Sequence, residues 1–284
     1  IGSVFVQGIQ AGVCFADIST GELHATTLSA KTVENLEQLL KNELARFSPR
    51  EILINSSVFD FTGLPVFIRE KLTASLECLD EERFNHSGST ERILKQFQKE
   101  DLSQLHLQEH PCIVCALGAL LSYLKETQRT GMERMGEIDL YTNAQFMRLD
   151  LNTRRNLELL ETMRNKEKRG SLLWVLDRTK TAMGKRLIRS WLEQPLLNPA
   201  QINRRLNAVE ELVSDSILRD NLSEQLSGIY DLERLMTRIV YGSCNARELR
   251  SLAAAVEKLP QLKNLLSNSQ SAILCRIFKD IDVL

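Results

Sequence analysis

Cys112-Ile113-Val114-Cys115, with His106 and His110 close by, has the outline of a zinc or redox centre. A structural zinc site takes four ligands and usually a second matching pair, and none follows here. The run continues as Ala116, Leu117, Ala119, Leu120 and Leu121, so the two thiols read as buried groups of an apolar helix. No thioredoxin-like context surrounds them. Gly184-Lys185 invites comparison with a phosphate-binding loop, but that motif requires Gly where Thr179 stands and Ser or Thr where Arg186 stands. The four His, at 24, 86, 106 and 110, assemble no Ser/His/Asp set. Arg154, Lys166, Lys168 and Arg169 could touch a phosphate backbone. Direct nucleic-acid reading wants aromatics interleaved with the cations. Trp174 and Trp191 are the aromatics at hand, and their apolar neighbours place both in a core, leaving the cations as a solvated helical surface.

Composition bounds the rest. A chain of 284 residues is long enough for two domains, with cores that need no disulfide or metal. Six scattered Cys fit reduced thiols and a cytoplasmic setting better than a disulfide framework. No apolar run is long enough to span a membrane, and Ile1 to Gln7 lacks the basic start of a signal peptide. Ile1 in place of an initiator Met reads as an internal point of a longer protein, or as an imposed boundary. The net charge of −1 argues against a nucleic-acid coat. The halves differ, however: residues 1–136 carry 13 Lys and Arg against 18 Asp and Glu, and 137–284 carry 23 against 19. Residues 148–189 are the positive pole, with 12 basic and 5 acidic side chains.

The elements that must position these groups fall into two classes. Val4-Phe5-Val6 and Val13-Cys14-Phe15-Ala16 are β-prone runs, with Gly8 to Gly12 as the hairpin turn. Ser19-Thr20-Gly21-Glu22 makes a second turn before a third strand, Leu23 to Thr27. Val33, Leu36, Leu39, Leu40 and Leu44 share a helical face. Ile52-Leu53-Ile54 and Leu76 to Leu79 add strands, and Pro111 to Gln128 forms a closing apolar helix. The order βββ-α-β-α-β-α predicts a ribonuclease-H-like mixed sheet covered by helices. Gly131 to Ile138 marks the boundary, giving domains 1–130 and 131–284.

The second domain reads as helical throughout. Ser171 caps a helix through Leu176, and Thr179-Lys180-Thr181 turns the chain into another that carries Met183, Leu187, Ile188, Trp191 and Leu192 and stops before Pro195. Asn198-Pro199 starts the next helix. Helices near 216–227, 231–241 and 245–259 follow, with Gly228 as a left-handed cap, Asn245 as an N-cap and Pro260 as a stop.

A ribonuclease-H-like sheet raises the question of a two-metal nuclease, which needs an acid on the first strand, one on the first helix and one after the fourth strand. Ser3 to Gln7 has none, and the fourth strand ends in Asn55-Ser56-Ser57. Asp17 is a turn former, and Glu34 and Glu37 lie on a helix surface. A cage lacking most of its ligands cannot hold the metal.

One resemblance covers nearly the whole chain in order. Leu149-Asp150-Leu151-Asn152-Thr153-Arg154-Arg155-Asn156-Leu157-Glu158-Leu159 resembles the L-D-x-x-T-x-R-N-L-E-L element of the MutS family of DNA mismatch-repair proteins. Gly170 to Gly184 matches its G-S-L-L-x-V-L-D-x-T-x-T-x-M-G run, and Arg186 to Leu196 continues it. Asp231-Leu232-Glu233-Arg234-Leu235 with Arg238-Ile239, and Asp17 to Glu22, are similar to two further family elements. The resemblance implies a connector domain plus the first helical part of the core, or lever, domain, without the family's mismatch-reading and ATPase domains. It implies a non-enzymatic, cofactor-free part that relays state between DNA and an ATPase and offers surface to MutL. ATP, Mg and mismatched double-stranded DNA would belong to the parent, a homodimer.

The segment Met147 to Leu197 is then expected to be a hinge and brace, with Asp150, Arg155, Leu173, Asp177, Arg178, Met183, Arg186 and Trp191 as its fixing residues. Replacing Leu173 or Trp191 by Ala should cost ~2–5 kcal/mol if each is buried. The other classes left open are a ribonuclease-H-like nuclease with a helical appendage and a free-standing DNA-binding scaffold.

Overall fold

The computed structural model describes residues 1–127, 135–142, 145–147 and 149–283. It forms two compact units, Ile1–Thr142 and Asn143–Leu284. Gly131, where the sequence places the division, lies outside the described residues. The described chain returns to the sheet at Asp139–Leu140, so the first unit extends past 130.

In the first unit, β1 (Gly2–Gln7), β2 (Gln10–Asp17) and β3 (Glu22–Ser29) form an antiparallel meander. β4 (Glu51–Ile54) and β5 (Ser75–Cys78) add in parallel beyond β1, and β6 (Asp139–Leu140) pairs parallel to β3. The order among described residues is β5-β4-β1-β2-β3-β6. Side-chain alternation decides which face each residue serves. Val4, Val6, Val13, Phe15, Ile52 and Ile54 pack under α1 (Val33–Phe47) and α2 (Leu64–Glu70). Cys14, Ala16 and Leu53 face the opposite way, toward α3 (His86–Phe97) and α4 (Pro111–Thr127). Both faces are covered, which is why these strands are apolar at nearly every position.

Gly12 lies inside β2, not in the hairpin turn where the sequence places it; the turn is Gly8-Ile9, with Gly8 at φ 62°. A Cβ at Gly12 would meet the Cys112 carbonyl oxygen at 2.0 Å, so this glycine lets the start of α4 lie directly on the sheet. Cys112 and Cys115 lie in this helix among its buried residues. Both thiols are buried, and burial pushes Cys115 up to about 11. Among the described residues no cluster of three or more His, Cys, Asp or Glu could hold a metal.

The second unit contains α5 (Leu151–Asn156), α6 (Leu172–Leu176), α7 (Ala182–Glu193), α8 (Pro199–Ser214), α9 (Ser216–Leu226), α10 (Leu232–Val240), α11 (Ala246–Val256), α12 (Leu259–Leu265) and α13 (Ala272–Asp280). Its caps lie where polar side chains can reach their own backbone. Ser171 Oγ accepts from Trp174 N at 3.2 Å, Thr181 Oγ1 from Gly184 N at 3.0 Å, and Asn198 Oδ1 from Ala200 N at 2.9 Å. Asn245 and Glu248 form a reciprocal capping box. Two sequence expectations fail. α9 ends at Leu226 with a right-handed cap at Ser227, and Gly228 does not take a left-handed conformation. Pro260 starts α12 instead of closing the preceding helix, because a first-turn proline lacks only an N–H that has no partner there anyway. No helix among the described residues is long and apolar enough to cross a membrane.

Candidate functional site: a charged brace and cleft in the helical unit

The segment expected to be a junction is stitched at both ends within the second unit. Met147 N donates to Pro195 O at 2.8 Å and Leu197 N to Gln145 O at 3.2 Å, with an isolated bridge between Phe146 and Leu196. Asp150 caps α5 through Oδ1, which accepts from Thr153 N at 2.6 Å; these bonds hold its carboxyl below the ordinary value. Leu172 N and Leu173 N donate to the carbonyls of Glu158 and Leu159 at 3.0 and 2.9 Å, closing the 160–171 loop onto α6. Asp177 then turns the chain toward α7. Its Oδ1 accepts from Thr179 N at 3.1 Å and from Thr179 Oγ1 at 2.5 Å, and the hydroxyl bond leads the lowering of its pKa.

The strongest polar cluster is centred on Arg186 in α7. Its Nη1 and Nη2 donate to the two oxygens of Asp231, each at 2.7 Å, a fork-to-carboxylate pairing. Nε donates to Glu233 Oε2 at 3.0 Å, and Nη2 also bonds that oxygen. Asp231 is the N-cap of α10, so one guanidinium fixes the start of α10 against α7. The Arg186 hydrogen bonds hold Asp231 below its usual range, and Asp231 in turn raises Arg186. Further along α10, Arg238 pairs with Glu248 of the α11 capping box. Ion pairs therefore link α7 to α10 and α10 to α11.

The structure gathers some of the expected residues and scatters others. Lys168, Leu173, Asp177, Arg178 and Arg186 line one cleft of 430 Å³, together with Leu160, Trp174, Lys185 and Arg189. Asp150, Arg155, Met183 and Trp191 lie outside its lining, as do Arg154, Lys166 and Arg169. Arg154 Nε donates to Leu149 O at 3.1 Å. Neither Trp is core, contrary to expectation: Trp174 is 48% exposed and Trp191 41%. Leu173 is only partly buried. Apolar spacing marks a real face, but in the described chain little packs on it; Leu206, Val209 and Val213 of α8 are exposed too. Trp191 instead carries the Arg205 guanidinium 3.6 Å above its ring. The sequence does not single out Asp231, Glu233, Arg238 and Glu248 as brace members, although the first three stand in the D-L-E-R-L-x-x-R-I element.

Gly184 lies in the first turn of α7 with its N–H on Thr181, so Gly184-Lys185 forms no phosphate-cradling loop. In the first unit, Asp17 closes a turn by accepting from Ser19 N and Oγ at 2.8 and 2.6 Å. Glu37 pairs with Lys41, and His24 with Asp139 at 2.9 Å.

Comparison with known proteins closes the identification. Residues 1–139 match the family model for MutS domain II, and residues 152–280 the model for MutS domain III. The DNA mismatch repair protein MutS of Caldanaerobacter subterraneus subsp. tengcongensis is 40% identical over 282 residues, covering 99% of this chain and 32% of that protein. That of Alkaliphilus oremlandii is 40% identical over 284 residues, again 99% of the chain and 32% of the relative. That of Acetivibrio thermocellus is 35% identical over 286 residues, 99% of the chain and 32% of the relative. The chain thus spans about a third of the length of these relatives, and by both of its domains it belongs to the MutS family.

Proposed function

We propose that this chain is the connector and lever part of a DNA mismatch-repair ATPase, without a catalytic centre of its own. It relays conformational state between the mismatch-bearing DNA and the ATPase, and its connector offers surface to MutL. The observation that carries this reading is the Arg186–Asp231/Glu233 fork with the Arg238–Glu248 pair, which ties three helices into one body. Helices coupled by charge can shift together, which is what linking distant sites demands. The fork is built on residues of the matched family elements, which ties the brace to the family's shared architecture.

A ribonuclease-H-like origin for the first unit is supported by its strand order, with an antiparallel meander extended by two parallel strands. The absence of acid on β1 and at the end of β4 speaks against nuclease chemistry there. The parent is read as a cytoplasmic homodimer that supplies the ATP and Mg site.

The isolated chain, incubated with ATP and with duplex and mismatched DNA in the presence of Mg or Mn, separates these readings. The expected result is no ATP hydrolysis, no strand cleavage, and weak or absent duplex affinity. Metal-dependent cleavage that survives purification would move the assignment to a nuclease.

A further inference from the structure

The 430 Å³ cleft of the helical unit is not accounted for by the brace. Five cations line it: Lys168, Arg178, Lys185, Arg186 and Arg189. Arg186 is neutralised by Asp231 and Glu233, and Arg189 reaches Glu193 at 3.5 Å. Lys168, Arg178 and Lys185 have no ion-pair partner within 4.0 Å among the described residues. The one carboxylate in the lining, Asp177, accepts from Thr179 through Oδ1 and keeps its charge, which Lys185 and Arg178 feel, so three cations outside any ion pair are set against one carboxylate. Lys185 and Arg189 are four apart on α7 and so share a side of the helix. Leu160 and Leu173 add apolar surface, and Trp174, at 48% exposure, presents an open ring.

Like charges held around one cavity repel one another, and a compact polyanion relieves that repulsion. Cleft volumes of roughly 300–1,000 Å³ suit small molecules. An exposed indole beside the cations adds a surface on which a flat ring can stack. An acidic peptide matches this arrangement less well, since its carboxylates are single charges spaced along a chain and make no use of the ring. We propose that this cleft binds a phosphate-bearing nucleotide unit, the phosphate on Lys168, Arg178 and Lys185 and the base against Trp174. The unit is either a free nucleotide or an unpaired nucleotide of a single strand. Trp174, exposed where the sequence places it in a core, thus supplies the aromatic wall, and of the cations expected to touch phosphate Lys168 alone lines the cleft.

The test follows tryptophan emission of the chain during titration with thymidine monophosphate, inorganic pyrophosphate, a short thymidine oligonucleotide and poly-glutamate. Saturable quenching by the monophosphate, lost in Trp174→Phe, is expected, with pyrophosphate as a competitor. Lys168→Gln and Lys185→Gln should each weaken binding about tenfold, the scale of one charge-assisted contact. Lys279→Gln, on α13 and outside the cleft, should leave it unchanged. With one strand phosphate seated on the three cations, log affinity for the oligonucleotide should fall with log salt at a slope of about −0.7. Quenching by both monophosphate and oligonucleotide identifies a strand-compatible site, and quenching by the monophosphate alone identifies a free nucleotide. Absence of saturable quenching, or displacement of the nucleotide by poly-glutamate as readily as by pyrophosphate, would overturn the proposal.

Discussion

Replacing Arg186 by Gln tests the brace most locally. The fork places two N–H groups on Asp231 at 2.7 Å and a third on Glu233 at 3.0 Å, with Arg186 29% and Asp231 19% exposed at the side chain. Fully exposed pairs contribute ~0–1 kcal/mol. Hydrogen bonds to charged groups contribute ~1.5–3 kcal/mol each where water is excluded. Partial exposure puts the fork between these limits, and Asp231 keeps a residual partner in Arg234 at 3.6 Å. The expected cost of Arg186→Gln is therefore ~2 kcal/mol, or ~4–8 °C in the melting of the helical unit. Urea unfolding followed by far-UV circular dichroism, in a cycle with Asp231→Asn, should give a coupling of at least ~1 kcal/mol. The pH dependence has a fixed sign. Asp231 is held below its unfolded value, so its contribution is complete above about pH 4 and is lost as pH falls through the folded value. Arg186 is raised and stays charged throughout, so it adds no loss in that window. The Gln variant should accordingly lose less stability than the parent on acidification below about pH 4. A coupling under ~0.3 kcal/mol, or identical acid profiles, would show that the fork holds nothing in solution.

Three further outcomes follow from the geometry. Gly12→Ala drives a Cβ to 2.0 Å from a backbone carbonyl that cannot rotate away, so the first unit should lose ~3 kcal/mol or more in a thermal melt. Trp191→Ala should cost only ~1 kcal/mol, the scale of its Arg205 stacking, and a double cycle with Arg205→Gln should recover most of it; a loss of ~4 kcal/mol would mean that the ring is buried in solution. Tyr141→Phe removes the 2.8 Å bond to Glu43 Oε2, which also pairs with Arg46 at 3.2 Å, and should destabilise the first unit by ~1–2 kcal/mol in chemical unfolding.

What can be read from the sequence is local. Val4-Phe5-Val6, Val13 to Ala16 and Ile52-Leu53-Ile54 mark strands as short continuous apolar runs, because the sheet is covered on both faces. Ser171, Asn198 and Asn245 mark helix starts because their side chains bond backbone two or three residues on. Gly12 misleads because glycine serves both turns and close approaches, and only the arrival of α4 distinguishes them. β6 leaves no trace because two residues carry no period. Pro260 misleads because proline both ends helices and begins them. The brace is hidden for another reason: Arg186 and Asp231 are 45 residues apart, and no spacing rule reaches across the helices α8 and α9 that lie between them. Trp174 and Trp191 read as core because apolar type marks a face without saying what covers it.

A brace that transmits state differs from one that merely holds helices together. The difference is measured in the rate of ATP-triggered release from mismatched DNA by the full-length parent carrying Arg186→Gln, Asp231→Asn or the exchange Arg186→Asp with Asp231→Arg. Transmission predicts that each single variant keeps mismatch affinity and basal ATP hydrolysis while release slows about tenfold, the scale of a ~1.4 kcal/mol coupling, and that the exchange restores much of the rate. Release at the parent rate in both single variants, with their stability measurably reduced, would contradict it.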